Sequence, residues 1–276
     1  MLKLKKAKPL MLDHFNRNIT YLRISVTDRC NFRCQYCMPA EGVPWKNQDE
    51  ILSFEEIVDI VKVGTRLGIK KIRLTGGEPL VRKDLPELIR MLSALPEIEE
   101  IGMTTNGVLL QKYAKELKAA GLSRVNISLD TLNPEKFRQI TRTGNLDDVL
   151  KGIDAAIEAE LLPVKINFVR MKGENDDDEQ AVRNFCKEKN LKLRFIRQMD
   201  LRKGEFSSVE GGEGGICKIC NRLRLTADGF LVPCLHSGLR YDIRKTGIEK
   251  AYKMAIENKP QTGHGTTTHE FSNIGG

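Results

Sequence analysis

Through the first 200 residues, short runs of alternating apolar and polar positions are separated by longer stretches whose apolar residues recur at helical spacing. The alternating runs predict strands near Tyr21 to Thr27, Lys70 to Thr75, Glu100 to Thr105, Arg124 to Leu129, Val164 to Val169 and Leu191 to Ile196. The helical stretches include SFEEIVDIVKVGTRLG, with Ser53 placed as an N-cap and Gly68 just past the end, and NLDDVLKGIDAAIEAE. Six such units in succession predict parallel strands joined by right-handed crossovers.

Successive strand side chains point to opposite faces, so each run divides in two. Leu22, Ile24 and Val26 oppose Tyr21, Arg23, Ser25 and Thr27, and Ile72 and Leu74 oppose Lys71, Arg73 and Thr75. Val164, Ile166 and Phe168 oppose Lys165, Asn167 and Val169, and Leu191, Leu193 and Phe195 oppose Lys192 and Arg194. If the apolar face packs on helices, the polar face lines a curved sheet, where a closed eight-stranded barrel would hold packed aliphatic side chains. Bringing Arg23, Lys71, Arg73, Lys165 and Arg194 toward one lumen is costly unless an anion neutralises them, so the lumen is expected to bind one. TDRC, TGGEP, TTNG, SLD and RQMD each follow a strand, at the rim where parallel α/β folds bind ligands.

Composition adds bounds. The 276 residues are 40% hydrophobic and 30% charged, with no apolar run near the roughly 18 residues a membrane span needs, which fits a soluble cytoplasmic protein with no membrane partner. MLKLKKAKPLMLDHF is basic without a continuous apolar core and reads as part of a frayed tail over residues 1–20. A net charge of +8 suits an anionic partner without choosing among nucleotides, nucleic acids and acidic peptides. Only 6% of residues are aromatic, too few for the base-stacking surface of a zinc-stabilised nucleic-acid-binding protein, so no nucleic-acid partner is expected.

Six of the seven cysteines form two trios, Cys30/Cys34/Cys37 and Cys217/Cys220/Cys234, while Cys186 stands alone on a predicted helix as an ordinary half-buried residue. Such clustering suits metal binding in a reducing compartment. The first trio has no fourth Cys or His nearby for a closed zinc site, whereas a 4Fe–4S cube held by three thiolates leaves one iron free. The second has His236 two positions past Cys234, so a Cys3His zinc site remains open beside the cluster reading. Arg222 and Arg224, two apart on a predicted strand, point the same way beside it and suggest a bound phosphate or carboxylate.

CNFRCQYC after the first strand, with TGGEP after the second, resembles the radical S-adenosylmethionine (SAM) superfamily. The wider set, LRISVTDRCNFRCQYCMPAEG, TGGEPLVRKDL, TTNG, NISLD, CNRLRLTADG and a terminal IGG, is similar to the GTP 3′,8-cyclase (MoaA) family of molybdenum cofactor biosynthesis. The resemblance implies an open (β/α)6 partial TIM barrel over residues 21–200, with a shortened extension over 201–276 carrying a second cluster. It implies two 4Fe–4S clusters, one on Cys30, Cys34 and Cys37 and one on Cys217, Cys220 and Cys234, and SAM bound by Tyr36, Gly76, Gly77, Glu78, Ser128 and Met199. GTP would be met by Arg23, Lys71, Arg73, Thr104, Lys165, Arg194, Arg222 and Arg224, with Arg222, Arg224, Gly275 and Gly276 in catalytic roles.

The implied reaction is reductive cleavage of SAM, hydrogen abstraction from C3′ of the GTP ribose and attack on C8 of the guanine, giving 3′,8-cyclo-7,8-dihydro-GTP. An electron donor such as flavodoxin or ferredoxin, a downstream cyclic pyranopterin monophosphate synthase and a homodimer are the implied partners. The chain departs from the family in three places. Only sixteen residues separate Asp200 from Cys217, Arg197 stands where the family often has an acid, and EFSNIGG lacks the Met that commonly precedes the glycines. Another two-cluster radical SAM enzyme, such as a peptide maturase, is the nearest alternative.

Overall fold

The computed structural model describes residues 11–268 and residue 274. Strands β1 (Tyr21–Ser25), β2 (Lys71–Thr75), β3 (Glu100–Thr105), β4 (Arg124–Ser128), β5 (Lys165–Arg170) and β6 (Lys192–Arg197) pair in parallel, each beside its neighbour in sequence. Helices α1 (Phe54–Leu67), α2 (Leu85–Ser93), α3 (Leu110–Ala119), α4 (Pro134–Thr141), α5 (Leu146–Glu158) and α6 (Asp178–Glu188) make the crossovers. Each expected strand is present to within two residues at either end. The expected cap is present too. Ser53 Oγ accepts from Glu56 N while the Glu56 carboxylate accepts from Ser53 N, and Gly68, at φ +125°, ends α1.

The apolar strand face makes the core. Leu22, Ile24, Ile72, Leu74, Ile166 and Phe168 are fully buried with the helical residues Ile57, Ile60, Leu88, Ile89 and Ile153. At about 1.5–3 kcal/mol for each large side chain removed from water, this layer supplies much of the driving force for folding. A slip of one residue in β1, β2, β5 or β6 would turn its cations into the core.

The C-terminal extension does not stand apart as a separate layer. Strands β7 (Arg222–Leu225), β8 (Phe230–Val232) and β9 (Tyr241–Asp242) continue the sheet beyond β1, giving the order β6-β5-β4-β3-β2-β1-β7-β8-β9 among the described residues. β7 is parallel to β1, with Arg23 level with Arg73 on one side and Arg224 on the other. The four-residue α7 (Ile243–Thr246) leads into α8 (Ile248–Glu257), which packs on α1: fully buried Tyr252 reaches Ile60 O at 3.3 Å, and a Cβ on Gly64 would meet its hydroxyl.

The expectation of a frayed tail through residue 20 fails over 11–20. Met11 and Ile19 are buried, and the buried Arg17 ties this stretch to Asp13 and to carbonyls of the extension. A basic residue near a terminus reads as solvated until the carbonyls it serves, 200 or more residues away, are known.

Asp200 to Cys217 folds back on the free edge of β6. Phe195 and Glu210 exchange backbone hydrogen bonds, and Glu210 accepts from Arg170 and Arg183, whose guanidiniums both lie 4.1 Å from the Phe195 ring. Cys186 on α6 is buried more deeply than the half-buried expectation, in the general core.

Candidate active site

The first trio lies on the loop after β1, locked to the loop after β2. Gly77 N donates to Thr27 O and Glu78 N to Arg29 O, at 2.9 and 2.8 Å. A Cβ on Gly77 would collide with the Arg29 carbonyl, and Gly76 has φ +149°. The glycines therefore let two loops close on each other beside the cysteines, a reason found in the chain itself.

A cavity of about 190 Å³ opens there. Cys30, Cys34 and Cys37 line it together with Tyr36, Gly76, Gly77, Glu78, Ser128 and Met199, as do Thr104 and Asn167, whose buried Oδ1 meets no donor. The six residues expected to surround SAM thus share one wall system with the cysteines. Burial pushes the Cys30 thiol up to about 11, and burial with the neighbouring Cys30 and Asp130 pushes Cys37 up to about 12. Cys34 is raised well above its ordinary value by burial and by Cys37, so the three thiols are near enough to oppose one another's ionisation. A group binding all three must take thiolates and release their protons, as iron does.

Two carboxylates organise the wall. Glu78 accepts from Thr105 Oγ1 at 2.7 Å, Asn106 N at 2.7 Å and Leu80 N at 3.1 Å, and its burial pushes its carboxyl up to about 7 against those bonds. Asp130, which the sequence reading placed on the rim without a role, accepts from Val169 N at 2.7 Å and Tyr36 Oη at 2.8 Å and is pushed up to about 6 by burial. It fixes the aromatic ring beside the third cysteine.

Deeper in the lumen the predicted cations converge. Arg23 lies in the field of Arg224, Arg73 and Arg222, and its pKa falls well below the ordinary value through burial and that repulsion. Arg73 is buried and donates from Nε to Tyr21 Oη at 2.6 Å. Lys165 is pushed down to about 8 by burial and by Arg194, Arg124 and Arg73, and Arg224 to about 10 by burial and Arg222. The guanidiniums remain charged at neutral pH, so these shifts register repulsion that a bound anion would relieve. Arg194 Nε and Arg222 Nε are buried with no protein acceptor, which fits a lumen shaped for an oxygen-rich anion.

Arg124 belongs with this set and was missed. It lies on the same strand face as Asn126 and Ser128, pairs with Glu100 at 2.6 Å and acts on Arg73, Lys165 and Arg194. Lys71, by contrast, is exposed at the N-terminal end of β2, opposite Tyr21 and Glu100. Gly275 and Gly276 lie outside the described residues, while Ile274 is fully buried with Leu201, Val232 and Leu235, against Met199.

The second trio sits at the other end of the lumen. Cys217 opens a short 3-10 turn, Cys220 ends it next to β7, and Cys234 follows β8. β1 spans five residues, about 17 Å of strand, between the level of Arg222 and the rim that carries the first trio. Burial raises the Cys234 thiol. Burial likewise opposes ionisation of Cys220, but Lys259, Arg222 and Arg17 outweigh it and hold that thiol below its ordinary value. His236 stacks on Phe206 with ring centroids 4.3 Å apart, and among the described residues no three His, Cys, Asp or Glu side chains gather tightly enough for one metal ion. The donor set, thiols with cations around them, fits a polynuclear anionic cluster better than the Cys3His alternative.

These features, a three-cysteine loop after the first strand of an open parallel barrel and a cavity shared with the following glycine loop, define the radical SAM class, and residues 24–186 match the Radical SAM superfamily. The AdoMet-bound native anSMEcpe shares the fold at TM-score 0.61 and 17% identity, over 88% of this chain and 81% of that one. SuiB of Streptococcus suis does so at 0.59 and 14%, over 88% and 67%. Closer in sequence, a GTP 3′,8-cyclase of Petrotoga mobilis is 44% identical over 91% of this chain and 94% of its own length, and one of Alkaliphilus oremlandii 44% over 96% and 98%. The chain belongs to the GTP 3′,8-cyclase family. The first alignment runs over 302 positions against a chain of 276, so that relative carries residues this chain lacks.

Proposed function

We propose that the chain converts GTP to (8S)-3′,8-cyclo-7,8-dihydro-GTP, the first step of molybdenum cofactor biosynthesis. The observation that carries this reading is the convergence on one sheet of three features: a cavity shared by one cysteine trio and the residues assigned to SAM, a second trio beside β7, and mutually repelling cations from β1, β2, β4, β5, β6 and β7. When bound, the first cluster supplies an electron and SAM supplies the 5′-deoxyadenosyl radical that takes the ribose 3′ hydrogen.

The chain's own residues bind, orient and shield. Tyr36, Gly76, Gly77, Glu78, Ser128 and Met199 take SAM, with Asp130 holding Tyr36 in place. Arg23, Arg73, Thr104, Lys165 and Arg194 hold GTP, assisted by Lys71 at the N-terminal end and Arg124 from β4. Arg222 and Arg224, level with Tyr21 and Arg23, are assigned to act on the reacting nucleotide, with Arg224 near Cys220 and Cys234. Gly275 and Gly276, outside the described residues, are assigned the catalytic role that the family resemblance implies.

A one-electron donor such as flavodoxin or ferredoxin, a cyclic pyranopterin monophosphate synthase as consumer of the product, a homodimer and a cytoplasmic setting complete the reading. No helix among the described residues is long and apolar enough to cross a membrane. The test is anaerobic incubation of reconstituted protein with GTP, SAM and dithionite. Cyclised nucleotide is expected in step with 5′-deoxyadenosine; 5′-deoxyadenosine without it would overturn the substrate and favour a peptide-modifying enzyme.

A further inference from the structure

The second trio is clasped by two buried cations from outside its own loop. Lys259, just past α8, is 3% exposed; its Nζ donates to Arg222 O at 2.8 Å and to Pro233 O at 2.5 Å. Those carbonyls lie two residues after Cys220 and one before Cys234, and the Cys220 thiol is near enough to favour the ammonium's charge. Arg17 is 6% exposed and donates to Cys217 O at 2.9 Å, and to Gln261 O and Pro260 O at 3.2 and 2.7 Å. The two cations therefore interlock: Lys259 joins the backbone just after Cys220 to that just before Cys234, while Arg17 joins Cys217 to the segment directly after Lys259.

Their charge balance differs. Arg17 has a buried partner in Asp13 at 2.6 Å. The neighbouring groups that most favour the charge of Lys259 are the thiols of Cys220 and Cys234 in their ionised form. A buried ammonium costs several kcal/mol unless paired, and two carbonyls supply hydrogen bonds but no net charge. The counter-charge fitted to Lys259 is the thiolate cluster itself.

We propose that Lys259, kept in place through Arg17, is a positioning residue for the second cluster, setting the spacing of Cys220 and Cys234 and raising the cluster's reduction potential by favouring its more negative, reduced state. The proposal rests on the reading that Cys217, Cys220 and Cys234 hold a cluster. It adds to that reading a residue that touches neither SAM nor GTP and tunes the end of the lumen where electrons are exchanged.

The test is an anaerobic potentiometric titration followed by electron paramagnetic resonance, with iron counts, on wild type, Lys259→Met and Lys259→Arg. Lys259→Met is expected to shift the second cluster's reduced-to-oxidised ratio at least tenfold toward oxidised, 59 mV for one electron, while Lys259→Arg stays near wild type and the first cluster does not move. If Lys259→Met cannot assemble the second cluster, Lys259→Arg must assemble it at the wild-type potential. A second cluster present in Lys259→Met at unchanged potential, or lost from both variants, overturns the proposal. Failure of the underlying reading would look different, because wild type itself would then carry about four irons per chain instead of about eight.

Discussion

At the rim, the thiols of Cys30, Cys34 and Cys37 have Glu78 and Asp130 for neighbours, whereas at the far end of the same lumen Cys220 and Cys234 face Lys259, Arg222 and Arg224. The donor sets are alike and the charges nearest them differ: acidic groups predominate at the first trio, with Arg33 also beside Cys30, and cations predominate at the second. SAM carries a sulfonium and an ammonium, so a negative wall favours it beside the first trio; GTP is a polyanion, so a positive wall favours it toward the second. On the proposed reading, the charge around two similar cysteine trios is what directs different ligands to them.

Cysteine replacement breaks this comparison with the largest effect. Cys34→Ala is expected to abolish 5′-deoxyadenosine formation and with it every later product. Cys220→Ala should leave SAM cleavage near the wild-type rate while the cyclised nucleotide disappears. Chromatography of both products from one reaction checks it, and equal loss of both in Cys220→Ala would show that the two ends do not divide the work.

The lumen cations come next. Arg73→Met removes a buried charge expected to meet GTP, and losing a charge-assisted hydrogen bond costs about 1.5–3 kcal/mol, or roughly 10- to 100-fold in GTP affinity. Tyr21→Phe, which only releases the Arg73 Nε bond, should cost about fivefold. Without ligand, Arg73→Met should melt higher than wild type, because it relieves repulsion from Arg124 and Arg23. Equilibrium dialysis and thermal melts of the apoprotein together check the opposite signs; a variant that loses both affinity and stability would mean that Arg73 is structural.

What the sequence disclosed follows from how far each feature reaches along the chain. Ser53 and Gly68 could be read because a cap is settled within four residues. The strand faces could be read because alternation is local, and Arg23, Arg73, Lys165 and Arg194 emerged from it. Arg124 obeys the same alternation but opens its strand, where a lone charge reads as solvated; its lumen role depends on register with β3 and the Glu100 pair. Asp130 needs Tyr36, 94 residues away. Arg17 falls in the stretch read as a tail and Lys259 carries no local signal, since their burial exists only once β7 has chosen β1 as its neighbour across 200 residues.

A smaller effect is expected from pH. Lys165 titrates near 8 because burial and Arg194 disfavour its charge. In the free protein it is charged below that pH and loses charge as pH rises through it, so GTP affinity should fall by severalfold between about pH 7 and 9. Lys165→Arg should flatten that decline, since a guanidinium stays charged throughout. Affinities of both proteins across this range, taken as a ratio, cancel titration of the nucleotide itself; a ratio independent of pH would remove Lys165 from the site.

The smallest effect concerns the sixteen residues between Asp200 and Cys217. Their hold on β6 is the Phe195–Glu210 backbone pair and the charges Arg170, Glu179, Arg183 and Glu210. Glu210 is about half exposed, and pairs of that kind contribute roughly 0–1 kcal/mol. Glu210→Gln should therefore lower the melting temperature by no more than about 2–4 °C and leave both products unchanged. The reason lies in the division of labour along the sheet: β6 contributes Arg194 to the lumen from the face opposite Phe195, so loosening an ion pair at its outer edge leaves that side chain's register untouched. If Glu210→Gln instead uncoupled SAM cleavage from cyclisation, the short segment would be shaping the mouth between the rim and Arg194, and the two ends of the lumen would not be independent.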